Sequence, residues 1–165
     1  LPVVSFTPHS FMHNSEGLLQ SFDSSLIETS LQKNHIPVLY GDAVFDNQWN
    51  CSILSGDTII SYLASKLKAD QVIFLSDVDG VFDSNPKKNP QAQIILEINN
   101  HNLDQVVGQL ESHHQFDVTG EMKGKILSIQ KDLKKITVII GNGFRKRAIR
   151  RLLDEVPPYS KLLFD

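Results

Sequence analysis

A single cysteine, Cys51, excludes an internal disulfide and a multi-cysteine zinc site. It fits a reducing compartment, and a cytoplasmic location is expected on that ground. Charge excess is also lacking: 16 Lys and Arg against 19 Asp and Glu leave a formal net charge of −3. No global field therefore draws the chain to nucleic acid or to an anionic membrane, and neither is expected as a partner. Long apolar runs are missing too; none approaches the roughly 20 residues of a membrane-spanning helix. There is no internal repeat and no low-complexity linker. The sequence has no opening methionine, and Leu1-Pro2-Val3-Val4-Ser5-Phe6 enters a strand-like pattern at once. Natural starts usually carry a polar lead-in, so a piece of a longer protein is expected.

What is present is an ordinary globular composition, 41% hydrophobic and 21% charged over 165 residues, enough for one domain over residues 1–165 with a real core. Apolar runs at Val3–Phe6, Ile36–Tyr40, Gln71–Ser76, Ile94–Ile98 and Ile136–Ile140 predict strands. Between them lie helical patterns: from the Asp23-Ser24-Ser25 cap to Asn34, from Ser55-Gly56-Asp57 through Leu67, over Asn102–Leu110, over Ile126–Leu133 and over Phe144–Leu153. Residues 43–54 look like a small β-excursion. Strand–helix alternation predicts an α/β fold, a three-layer α-β-α sandwich with a mainly parallel sheet.

In open α/β sheets, ligands sit outside the carboxyl ends of the strands. Gly41-Asp42, Asp77-Val78-Asp79-Gly80 and Gly141-Asn142-Gly143 follow predicted strands, and Ser55-Gly56-Asp57 opens a helix. Each alone makes a turn or a cap. Together, on one edge of one sheet, they predict a phosphate site with carboxylates that orient lysines or bind magnesium. The stretch Asp117-Val118-Thr119-Gly120-Glu121-Met122-Lys123-Gly124-Lys125 adds two glycines and two lysines before a helix. A glycine turn at a helix N-terminus offers unpaired N–H groups, and mobile ammonium groups can follow a phosphoryl group.

The block from Asp77 to Pro86 resembles the T-D-V-x-G-V-Y-x-x-x-P signature of the amino acid kinase family, and the lysine stretch is similar to its G-G-M-x-x-K element. Val38–Asp46 resembles the V-x-x-G-D-V-V-x-D segment of the isopentenyl phosphate kinases within that family. Ile53–Ile60 resembles their I-x-S-G-D segment, and Asp117–Gly120 their D-V-T-G. The resemblance covers about Pro2 to Gly143 and identifies the chain as the C-terminal, nucleotide-binding part of such a kinase domain, its N-terminal part missing.

That resemblance implies transfer of the γ-phosphoryl group of ATP, with Mg2+, to a small-molecule phosphate monoester, isopentenyl phosphate above others. The product is the diphosphate. Lys125 matches the family's phosphate-bridging lysine, and Asp57 the carboxylate that holds active-site lysines. Gly56 and Asp57 fall on the acceptor-phosphate side. Asp77, Asp83, Gly120, Lys123 and Lys125 fall on the nucleotide side. No residue is implied as a protein ligand to a metal, and a homodimer fits the resemblance. A glutamate 5-kinase-like or uridylate kinase-like member, or a non-catalytic nucleotide-binding module, remains open.

Two departures accompany the resemblance. Gly120-Glu121 stands where the family has paired glycines, which brings a carboxylate near the phosphate element. The first glycine-rich loop with its lysine, and the acceptor-side histidine, match nothing in residues 1–165, so the chain alone is expected to be inactive. His9 and His13 lie in a loop near the acceptor side but lack a Gly-His context. His101, His113 and His114 read as solvated, Cys51 as a packing or surface residue. Arg145, Lys146, Arg147, Arg150 and Arg151 read as a solvated helix face, without the interleaved aromatics of a nucleic-acid platform.

Overall fold

The computed structural model describes residues 2–20, 22–112 and 118–165, with backbone alone for 111, 112 and 118–121. Asp117, His113 and His114 lie outside the described residues. Contacts between Cα atoms group the chain into two compact units, Leu1–Tyr62 and Leu63–Asp165.

The first unit runs β1 (Val3–Ser5), a 3-10 turn (Pro8–Ser10), β2 (Asn14–Ser15), β3 (Leu18–Leu19), α1 (Ser25–Gln32), β4 (Ile36–Val38), β5 (Asp42–Asp46) and β6 (Asn50–Leu54), then enters α2 (Gly56–Leu67). β1 and β4 form a parallel pair, with Val4 opposite Pro37. Pro37 cannot donate to a ladder, and a two-stranded sheet consists of edges where that is tolerated. The intervening α1 buries Ile27. A second sheet has the order β3-β2-β5-β6. Its β2–β3 hairpin turns on Glu16 and Gly17, both at positive φ (52° and 75°), as a tight two-residue hairpin requires.

One carboxylate ties the two hairpins of that sheet together. Buried Asp46 accepts hydrogen bonds from the backbone N–H of Glu16 (3.1 Å), Gly17 (2.8 Å), Gln48 (2.9 Å) and Trp49 (3.1 Å), and from Ser52 Oγ (2.8 Å). Burial pushes its pKa up, but the donors from Gly17, Gln48, Ser52 and Trp49 outweigh that and hold it well below the usual carboxylate range. Beside it, the Trp49 ring closes over Gly17, where a Cβ would come within 2.8 Å of the indole.

The second unit continues from α2 through β7 (Gln71–Ser76), β8 (Val81–Phe82), β9 (Ile94–Ile95), β10 (Glu97–Ile98), α3 (Leu103–Ser112), α4 (Val118–Asp132), β11 (Thr137–Asn142), α5 (Ala148–Leu153) and β12 (Ser160–Leu162). Its sheet has the order β10-β12-β11-β7. β7 and β11 are parallel, as are β10 and β12, while β12 runs antiparallel to β11. Val138, Ile139 and Ile140 on β11 are fully buried, as expected for a strand covered on both faces. Side-chain alternation divides them. Val138 and Ile140 join the core with Leu103, Val106, Ile126 and Ile129 of α3 and α4. On the opposite face, Gly141 lies under Leu152 of α5, where a Cβ would approach Leu152 Cδ2 to 2.5 Å. The second unit therefore has helix, sheet and helix as three layers, and the expected α/β class is present.

Three elements differ from the sequence reading. The glycine–lysine stretch, expected as a turn before a helix at Ile126, is itself helical from Val118. Met122, Ile126, Ile129 and Leu133 sit at helical spacing against the core and carry the helix through Gly124, around which there is open space. The last helix begins only at Ala148, because residue 147 takes a left-handed conformation (φ 59°). Beyond the last element read from the sequence, Ser160–Leu162 form β12, with Leu162 and, after it, Phe164 buried. No helix among the described residues is long and apolar enough to cross a membrane.

Candidate active site

The strand register of the second unit explains how its polar turns meet. Ser76 at the end of β7 is opposite Asn142 at the end of β11, so Asp77–Gly80 and Gly143–Arg145 leave the sheet side by side. Gly143 N–H donates to Ser76 O (2.8 Å). A Cβ on Gly143 would come within 3.2 Å of Leu75 Cβ, so glycine lets the two turns close on each other.

Across this edge, Asp79 accepts from Arg145 Nε (2.7 Å), Arg145 Nη2 (2.5 Å) and Asn142 Nδ2 (3.1 Å). The arginine fork meets the carboxylate in the two-point geometry that fixes a guanidinium plane. Hydrogen bonds from Arg145 lower the Asp79 pKa against the opposing effect of burial, with Asn142 adding to them. Asp77 pairs with Lys87, which lowers its pKa in the same way. Asp83 turns inward to the β8–β9 hairpin, where its Oδ1 accepts from Gln93 N–H (3.0 Å) and Ser84 Oγ (3.1 Å).

Ser160 clamps the same hairpin to β12. Its buried hydroxyl donates to Ile95 O (2.6 Å) and accepts from Val81 N–H (2.8 Å). Gly80 has to be small there, because a Cβ would lie 2.9 Å from Ser160 N. Val78, Phe82, Leu110 and Met122 line a small cavity of about 30 Å3 beside this hairpin. On α4, Gly120, Lys123 and Lys125 belong to helix rather than to a turn. Lys125 Nζ stands 5.1 Å from the centroid of the Phe74 ring on β7, within range of a cation–π contact.

In the first unit the remaining motifs converge on the start of α2. Ser55 Oγ accepts from Thr58 N–H (3.1 Å) and Ser55 O from Ile59 N–H (3.1 Å), which makes Ser55 the N-cap. Gly56 and Asp57 occupy the first turn, where N–H groups have no partner within the helix. Gly41 packs against this turn; its Cβ position is 3.3 Å from both Gly56 N and Leu54 O, so a side chain there would press on the backbone of the turn. Next to it, Asp42 Oδ2 is 2.7 Å from His9 Nδ1. That hydrogen bond is the main cause of a lowered Asp42 pKa.

Of the expected site residues, Asp77 leaves the end of β7, Lys125 on α4 stands over Phe74 of the same strand, and Gly56 with Asp57 lies beside Gly41; Lys123 lies on α4 with Lys125. Among the described residues, Gly41-Asp42 follows β4 of the β1–β4 sheet, while Asp77–Gly80 and Gly141–Gly143 follow strands of the β10-β12-β11-β7 sheet. Asp79 and Asn142 fall in turns that the sequence reading placed at the phosphate site, whereas Arg145, read there as part of a solvated helix face, precedes α5 and pairs with Asp79. Among the described residues no three His, Cys, Asp or Glu side chains cluster to hold a metal ion. Mg2+ needs few such ligands when a nucleotide brings phosphate oxygens, so the residues present fit a magnesium nucleotide with Asp77 as the exposed carboxylate at hand.

Comparison with known proteins gives concordant results. The isopentenyl phosphate kinase of Methanocaldococcus jannaschii is 38% identical over 158 residues, covering 94% of this chain and 56% of that protein. The isopentenyl phosphate kinase of Methanothermobacter thermautotrophicus is 38% identical over 129 residues, 76% of this chain and 47% of the relative. The chain thus spans about half the length of these relatives. A solved isopentenyl phosphate kinase structure superposes with a TM-score of 0.78 at 29% identity, over 98% of this chain and 59% of the other. A family model described as the amino acid kinase family matches residues 1–142. On this match and the shared architecture, the chain belongs to the amino acid kinase family.

Proposed function

We propose that the full gene product transfers the γ-phosphoryl group of Mg·ATP to isopentenyl phosphate, and that residues 1–165 form the C-terminal part of its single kinase domain. An oxygen of the acceptor phosphate attacks the γ-phosphorus, the bond to the ADP oxygen breaks, and isopentenyl diphosphate leaves. Such transfer is mostly positioning and charge stabilisation. The observation that carries the proposal is the start of α2. Ser55 caps the helix, Gly41 lets a neighbouring backbone close in, and the first-turn N–H groups with the positive end of the helix dipole would suit an anion. These are the segments that resemble the isopentenyl phosphate kinases, and the identity to those relatives supports the same acceptor.

Gly56 would receive the acceptor phosphate on its N–H, and Asp57 would hold a lysine ammonium in place. Lys125 would neutralise the charge that builds on the transferring group, with Lys123 and Gly120 on the nucleotide side of α4. Asp77 would orient cations at the nucleotide edge. Asp83 would act on the nucleotide indirectly, through the hairpin it holds. Magnesium, when bound with ATP, supplies charge neutralisation between the phosphates. A cytoplasmic enzyme without nucleic-acid or membrane partners completes the proposal, and a homodimer is compatible with it.

The test is ATP-dependent turnover of isopentenyl phosphate by the full gene product beside Lys125→Ala. Loss of one preorganised charge donor should lower kcat by about 10^2 to 10^3-fold. Turnover that survives in Lys125→Ala at the wild-type rate would refute the role of the lysine.

A further inference from the structure

The Asp79–Arg145 pair lies where a nucleotide is expected, yet the proposed mechanism leaves it unused. It joins positions 66 residues apart and sits at the carboxyl ends of two adjacent parallel strands, the usual place for a ligand in such a sheet. The arginine is half exposed and the carboxylate largely covered, at 44% and 25% side-chain exposure. A surface ion pair of this kind contributes little to stability, so stability alone does not account for its careful placement.

The placement is over-determined. Asn142 donates to Asp79 (3.1 Å) while its own Oδ1 accepts from Phe144 N–H (2.9 Å), and Gly143 N–H is tied to Ser76 O (2.8 Å). The turn that carries Arg145 is thereby held on both sides. A guanidinium has five N–H donors in a rigid fork. Asp79 takes the Nε hydrogen and one Nη2 hydrogen. Nη1 and the second Nη2 hydrogen remain uncommitted among the described residues, in one fixed plane and open to solvent. A fixed, half-exposed guanidinium of this sort matches phosphate oxygens better than a flexible ammonium does. Lys87 on Asp77 repeats the scheme with a second cation, so each carboxylate of Asp77-Val78-Asp79 presents one cation.

We propose that Arg145 binds the phosphates of the nucleotide and that Asp79 is the positioning residue that orients its guanidinium. This rests on the nucleotide-binding side of the proposed function and adds a ligand beyond the lysines of α4.

The experiment is calorimetric titration of the full gene product with ATP and with adenosine, for wild type, Arg145→Ala, Arg145→Lys, Asp79→Asn and Arg150→Ala. Arg150 pairs with Asp154 on the exposed face of α5 and serves as the charge control. Arg145→Ala should weaken ATP by about tenfold or more, as for a charge-assisted hydrogen bond, with adenosine unchanged. Arg145→Lys should recover only part of the loss, and Asp79→Asn should weaken ATP severalfold. Arg150→Ala should stay within about twofold of wild type, as for an exposed pair. Equal losses for ATP and adenosine would reduce Arg145 to a structural role and overturn the proposal. So would an Arg145→Ala affinity equal to that of Arg150→Ala. Tighter ATP binding by Asp79→Asn would show competition rather than orientation and overturn the positioning role. A protein that binds ATP with this pattern yet leaves isopentenyl phosphate untouched would refute the acceptor alone; one that binds no ATP would refute both.

Discussion

Replacing Ser160 with alanine removes a hydroxyl that serves two backbone groups at once. Val81 N–H and Ile95 O belong to β8 and β9, and both bond to Ser160 Oγ (2.8 and 2.6 Å) at a fully buried position. Alanine fills less space, so no clash arises and the loss is one of hydrogen bonding. A buried donor left without a partner costs about 1–3 kcal/mol, and Val81 is fully buried. In a domain of this size class each kcal/mol moves Tm by about 2–4 °C, so a fall of about 2–12 °C is expected in a thermal melt of the full gene product. The hairpin carries Gly80 and the Asp83 contacts, so ATP affinity should fall with it. Lys161→Ala, next along β12, removes only a partly exposed pair with Glu155 at 3.3 Å, worth at most about 1 kcal/mol. A Ser160→Ala melt no lower than that of Lys161→Ala would show that the hydroxyl does not clamp the hairpin.

Two further perturbations address the first unit. Asp46 gives up its proton more readily folded than unfolded, so its contribution is complete above the ordinary value of 3.8 and is lost as pH falls through and below it. Acid melts should show the Asp46→Asn variant less stable than wild type at pH 7, with the gap closing towards acid pH; a gap independent of pH would refute this. Gly41→Ala would press a methyl group to 3.3 Å from Gly56 N and Leu54 O, backbone on both sides. It should raise KM for the acceptor by about tenfold, as expected when a group next to a phosphate seat is misplaced, and leave KM for ATP unmoved. Equal rises in both would mean a general loss of fold.

The strands and helices legible in the sequence were those with strong periodicity. Gln71–Ser76 was bounded correctly because four consecutive apolar residues, Val72–Leu75, sit between polar residues and turn formers, and α2 announced itself through Ser55 and the stripe of Ile59 and Leu63. The start of α4 was hidden because Gly120 and Gly124 read as breakers, whereas burial of Ile126 and Ile129 in the core supports helix across them. Propensity gave way there to tertiary packing. β12 was obscured by Pro157-Pro158 and is strand only because β10 and β11 flank it. Among the candidate site residues, Gly56, Asp57 and Asp77 stand in local motifs that a sequence displays directly. The Asp79–Arg145 bond was not, because it depends on β7 and β11 being neighbours in register, which no local pattern encodes.

Phosphorylation of isopentenyl phosphate by the full gene product, measured beside uridine monophosphate and glutamate with ATP as donor, tests the kinase assignment most directly. Turnover of isopentenyl phosphate with kcat/KM well above that of the other two, abolished in Lys125→Ala, is the predicted result. Preference for glutamate or uridine monophosphate, or nucleotide binding with no turnover of any acceptor, would contradict it.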